Sequence, residues 1–76
     1  MEERIRALLA IALKMDVQAI GDDASSETLA NWDSLAHMNI ILALEGEFGI
    51  RFSDRQVFEI LSYRGICEAV RLLLRE

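Results

Sequence analysis

Ser34 is the residue of this chain best placed to do chemistry. Its hydroxyl stands next to Asp33 and directly ahead of a run in which Leu35, Met38 and Leu42, and beside them Ile41, Leu44 and Phe48, recur three or four apart. That spacing predicts a helix over 35–48 with a broad apolar surface. Asp33 and Ser34 carry the short side-chain oxygens that accept from the unpaired amides of a first helical turn, so capping alone is the plain structural reading of the pair. His37 follows Ser34 by one turn and could reach it. A serine hydrolase needs more, and no further base or set of oxyanion donors can be assembled around these two residues. His37 is therefore expected to be a solvated residue of the helix surface. Cys67 is the single cysteine, which rules out an internal disulfide and leaves a cysteine-based metal site short of ligands. It reads as a small packing residue of a helix. No catalytic residue and no metal ligand set is assigned.

The elements around this centre follow from the same periodicities. Ile5, Leu8, Leu9 and Ala12, extended by Leu13, form one stripe of an amphipathic helix over 3–15, with Glu2 and Glu3 at its positive end and Lys14 at its negative end. Between 16 and 32 the period weakens, and Gly21-Asp22-Asp23-Ala24-Ser25-Ser26 is rich in turn formers. A long loop is expected there, pinned inward by Val17, Ile20, Leu29 and Trp32. Trp32, just ahead of the central helix, reads as a staple over its first turn. Gly49 ends that helix, because glycine takes a left-handed backbone without a Cβ penalty. Ser53 followed three residues later by Gln56 is a capping box, predicting a short helix to about residue 61 with Val57 and Ile60 facing in. Ser62 can cap a last helix, in which Tyr63, Ile66, Cys67, Val70 and Leu73 or Leu74 repeat up to Arg75. The fold class is all-α: one domain over 1–76, a small four-helix bundle of three longer helices and one short one, with a long loop between the first two.

Seventy-six residues make one small domain, whose core leaves no room for a deep catalytic cleft. A hydrophobic content of 53% without proline suits a folded helical unit. Net charge is −5, against a nucleic-acid partner, since binding a phosphate backbone rests on concentrated positive charge. Residues 1–54 hold four basic and ten acidic side chains, a balance of −6, whereas the remainder comes to +1. A charge-steered partner should thus favour the loop and central helix. No apolar run approaches the roughly 20 residues of a membrane span, and Met1-Glu2-Glu3-Arg4 lacks the basic-then-apolar order of a signal peptide. A cytoplasmic monomer without membrane contact is expected.

Asp33-Ser34-Leu35, followed by a helix that closes Leu44-Glu45-Gly46-Glu47-Phe48-Gly49-Ile50, resembles the acyl carrier protein family, and the likeness covers nearly the whole chain. The resemblance implies a 4′-phosphopantetheine arm on Ser34, holding an acyl or aminoacyl group as a thioester. A helix entrance suits that modification, because the unpaired amides and the dipole stabilise the phosphate. Asp33 would assist attachment by helping to place the magnesium ion and the pantetheinyl donor in the complex with a phosphopantetheinyl transferase. The other implied partners are a loading enzyme and downstream transferases, which would meet Leu35, Met38, Leu42, Glu45 and Glu47. Ala36 and Asn39 are neutral where the carriers of fatty-acid synthesis usually bear acidic side chains, pointing to a stand-alone carrier of a specialised biosynthetic pathway. The rival reading is an unmodified helical interaction module. Gly46 costs about 1 kcal/mol against alanine inside a helix, and nothing in the sequence accounts for it.

Overall fold

A computed structural model describes residues 1–75. Helix α1 spans Glu2–Leu13, a 3-10 turn Val17–Ala19, α2 Ser34–Phe48, α3 Asp54–Glu59 and α4 Tyr63–Arg75. The domain is an all-α bundle of four helices, three long and one short, with the expected long connection after α1.

α1 stops at Leu13 because Lys14 turns left-handed, at φ 58° and ψ 47°. Lys14 N–H returns to Ile11 O at 3.2 Å and Met15 N–H to Ala10 O at 3.0 Å, the paired bonds of a Schellman ending. Lys14 thus serves as the left-handed terminator beyond the last turn, which contains no basic residue, rather than as a charge on that turn. The buried stripe of α1 is Ile5, Leu9, Ala10 and Leu13, with Leu8 and Ala12 half-buried at its edge. α1 packs mainly along α2, and also touches α4. Ile5, Leu9, Ile40, Leu44, Ile66 and Val70 meet in a fully buried centre. Ile40 lies outside the two stripes expected of α2, and Phe48, expected in the core, is half-buried.

The connection between α1 and α2 is long but tied. Ile20, Ala24 and Trp32 are buried and Leu29 packs against the core, whereas Val17, expected inside, is exposed on the 3-10 turn. Arg6 of α1 donates to Ile20 O and, at 2.8 Å, to Asp22 Oδ1, while its guanidinium lies 4.5 Å from the Tyr63 ring centroid. Ser25 and Ser62 form an isolated antiparallel bridge, with Ser26 N–H on Leu61 O and Tyr63 N–H on Ala24 O, both at 2.9 Å. Asn31 Nδ2 satisfies Leu13 O at the open end of α1 at 3.0 Å.

The capping box forms as expected. Ser53 Oγ accepts from Gln56 N–H at 3.1 Å and Gln56 Oε1 from Ser53 N–H at 2.9 Å. α3 ends at Glu59, short of residue 61, and Val57 and Ile60 are half-buried rather than deep. Ser62 Oγ accepts from Gly65 N–H at 3.0 Å in the first turn of α4, the expected cap. Of the last leucines, Leu73 packs on the core and Leu72 and Leu74 are exposed.

Candidate functional site

The entrance of α2 divides its two functions between neighbouring residues. Asp33, in extended backbone, is the N-cap: its Oδ1 accepts from Ala36 N–H at 2.9 Å, and its carbonyl receives His37 N–H at 2.8 Å. Ser34 is the first helical residue and its side chain is exposed. Capping therefore rests on Asp33, leaving the Ser34 hydroxyl to solvent. The amides of the first turn not taken by Asp33 point the same way, along the positive end of the dipole. A phosphodiester on Ser34 Oγ fits this setting: it is outside the core, beside unpaired donors, and removes no structural bond.

His37 is not the solvated residue that the sequence suggests. It is 8% exposed. Trp32 Nε1–H donates to its Nδ1 at 3.0 Å, and its Nε2–H donates to Val57 O at 2.6 Å. The two rings stack at 6.1 Å between centroids. The physical reason is register: His37 lies three, four and seven residues before Ile40, Ile41 and Leu44, on the face of α2 that the core covers. Trp32 occupies the staple position expected of it, packed on the fourth helical residue. With Nδ1 accepting and Nε2 donating, His37 has no lone pair left for the Ser34 proton, which removes the hydrolase reading on positive geometry.

Of the five residues expected to meet partners, three lie on the open side of α2. Leu35 is 73%, Met38 45% and Leu42 62% exposed. The short helix adds Phe58, 78% exposed, and the segment after it adds Leu61, neither of which the sequence reading included; aromatic exposure of this size on a six-residue helix is a signal that only placement reveals. Trp32, Met38, Val57, Phe58 and Leu61 wall a groove of about 620 Å³ that opens beside Ser34, with Ser26, Asp33 and His37 also lining it. The two glutamates are engaged within the chain. Glu45 Oε2 accepts from Phe52 N–H at 2.9 Å. Glu47 takes a fork from Arg4, Nε on Oε2 at 2.8 Å and Nη2 on Oε1 at 3.1 Å, and this hydrogen-bonded pairing holds its carboxyl below the usual carboxylate range. From Ser34 to Leu44 the helix carries no acidic side chain. Asn39 is exposed, but Ala36 is buried against the core, so only one of the two neutral positions belongs to the open face.

Cys67 is buried, as expected of a packing residue, and burial pushes its thiol up. Among the described residues no cluster of three or more metal-ligating side chains occurs. No helix of the structure is long and apolar enough to cross a membrane.

A four-helix bundle with an exposed serine at a helix entrance agrees with the carrier architecture that the family resemblance implies. The family model described as the phosphopantetheine attachment site matches residues 3–70, and the chain belongs to that family of phosphopantetheine-dependent acyl carrier proteins. It is 34% identical over 67 residues to "Polyketide-8 synthase acyl carrier protein 2" of Streptomyces avermitilis, covering 88% of this chain and 77% of the relative. It is 28% identical over 68 residues to an "Acyl carrier protein" of Thermosynechococcus vestitus, covering 90% and 84%. Proteins of this family are carriers rather than catalysts, served by a phosphopantetheinyl transferase and by acyl-transfer enzymes.

Proposed function

We propose that Ser34 carries the 4′-phosphopantetheine arm and that the chain shuttles an acyl or aminoacyl group, as a thioester on that arm, between enzymes of a specialised biosynthetic pathway in the cytoplasm. The observation that carries this reading is the transfer of the capping duty to Asp33, which leaves Ser34 exposed and without a structural task. In the modification Ser34 Oγ bonds to the phosphorus of coenzyme A that bears the pantetheine, the pyrophosphate linkage breaks, adenosine bisphosphate leaves, and the hydroxyl proton passes to the transferase. Once attached, the arm supplies the thiol. Asp33 holds the entrance of α2 in place during this step through its bond to Ala36 N–H, and, as the residue directly before Ser34, it would help to place a magnesium ion in the complex with the transferase.

Leu35, Met38 and Leu42 with Phe58 form the face offered to partner enzymes. Glu45 and Glu47 lie at the far end of the same helix, where their carboxylates are bonded to Phe52 and Arg4. An apolar, uncharged stretch ahead of them suits enzymes that dock by apolar contact, and the likeness to a carrier of a polyketide synthase supports a specialised pathway over fatty-acid synthesis. Intact mass after incubation with a promiscuous phosphopantetheinyl transferase and coenzyme A tests the reading. A mass gain of one pantetheine phosphate on the wild type, absent from Ser34→Ala, is expected. An unchanged wild-type mass would instead leave an unmodified interaction module.

A further inference from the structure

We propose that His37 is an acid-sensitive latch on the groove beside Ser34. In its neutral, Nε2-protonated form it joins the end of the long loop to the last turn of α3; a second proton, on Nδ1, breaks the join to Trp32.

The geometry leaves one tautomer. An indole nitrogen only donates, so Trp32 Nε1–H at 3.0 Å requires a bare Nδ1. A carbonyl only accepts, so Val57 O at 2.6 Å requires hydrogen on Nε2. Both contacts answer a need elsewhere. Trp32 is buried and its N–H has to find an acceptor. α3 is six residues long and ends at Glu59, so its final carbonyls have no partner within the helix. Ile60 N–H satisfies Gln56 O at 3.0 Å, and His37 satisfies Val57 O. Through one imidazole the loop, the entrance of α2 and the end of α3 are held together, and Trp32, His37 and Val57 all line the groove.

Protonation acts on one half of this join. The Nε2–H···O contact survives, but Nδ1–H then faces Trp32 Nε1–H, two donors across a gap that fits one hydrogen. One ring has to withdraw, and Trp32, a wall of the groove, loses its acceptor in a buried place. The charged group lining the same groove is Asp33, whose Oδ1 is held by Ala36 N–H. The loop contributes uncharged Ser26, and α3 presents Val57 and Phe58 to the groove while Asp54, Arg55 and Glu59 are exposed. None of this depends on an arm at Ser34, so the unmodified chain is the material to measure.

The chain contains one tryptophan and one histidine, which makes the signals unambiguous. Acidification from neutrality should shift Trp32 fluorescence and remove the hydrogen-bonded indole N–H resonance in one single-proton transition, with helicity retained. His37→Gln replaces the ring by an amide that offers one acceptor and one donor without titrating, and it should keep the high-pH signals throughout. A flat wild-type signal, or a His37→Gln variant that titrates as the wild type does, would overturn the latch. Ring-nitrogen resonance spectra of the wild type provide a measurement that needs no variant: Nε2 protonated and Nδ1 bare near neutrality is expected, and the opposite tautomer would end the proposal.

Discussion

Asp33 Oδ1 accepts the amide hydrogen of Ala36 at 2.9 Å, and this bond, rather than any made by Ser34, fastens the start of the central helix. Ser34→Ala should then leave stability within about 0.5 kcal/mol of wild type, as an exposed substitution away from caps and core does. Asp33→Ala should cost about 1 kcal/mol, the usual worth of a cap. Thermal melts of the two variants, read beside their capacity for pantetheinylation, separate attachment from folding. A large loss of stability in Ser34→Ala would place the cap on the wrong residue.

Gly46 and Gly49 should respond in opposite senses. A Cβ built on Gly46 meets nothing within 4 Å, and the position is exposed in the last turns of α2. Gly46→Ala should stabilise the domain by about 1 kcal/mol, since no close approach of another element requires the glycine. Gly49 sits at φ 64°, where a side chain is strained, and Gly49→Ala should destabilise by about 1 kcal/mol. Chemical denaturation of both variants checks the pair.

Partner recognition should be apolar and nearly insensitive to salt. Leu35→Ala and Phe58→Ala should each weaken acyl transfer from a cognate enzyme by about 1 kcal/mol or more, the loss that marks a contributing interface side chain. The loss should persist across a salt series, because screening acts on charges and these residues have none. Asn39→Glu should raise loading by a fatty-acid-pathway malonyl transferase at low salt. Ala36→Asp is a different experiment, since it puts a carboxylate into a buried place and should cost stability instead.

Tyr63 gives the alkaline limb of stability. Burial, with a nearby Cys67, pushes its hydroxyl up from 10.0 to about 12, and the neutral O–H donates to Glu2 O at 3.0 Å. A folded value above the unfolded one means a contribution fully present below about pH 10 and lost as the pH rises toward about 12. Tyr63→Phe should cost about 1 kcal/mol near neutrality and flatten the fall between those limits. Equilibrium unfolding at a series of alkaline pH values measures it.

The parts legible in the sequence were those written in neighbouring residues. Asp33 before an apolar run, Gly49 after one and Ser53 with Gln56 each act within a few positions, and each forms as the residue types require. α2 was harder, because apolar residues surround most of its circumference, and a helix with little polar contrast does not declare which side is covered. Hence Ile40, Ala36 and His37 were missed as buried residues. Glu45 and Glu47 answer to Phe52 and Arg4, and Val57 O to His37, pairings that exist only after the chain has folded. Val17 was expected inside on apolarity alone, and the 3-10 turn presents it to water.

The short bridge between Ser25 and Ser62 changes what the long connection costs in entropy. Closing one flexible loop grows dearer with its length, but a clasp near the middle makes two shorter loops, each anchored at both ends. Two amide hydrogens outside the helix interiors, those of Ser26 and Tyr63, are tied up in that clasp at 2.9 Å and should exchange with solvent slowly for their position. The segment that delivers Ser34 to an incoming enzyme therefore arrives already ordered, so that little freedom remains to be surrendered on encounter.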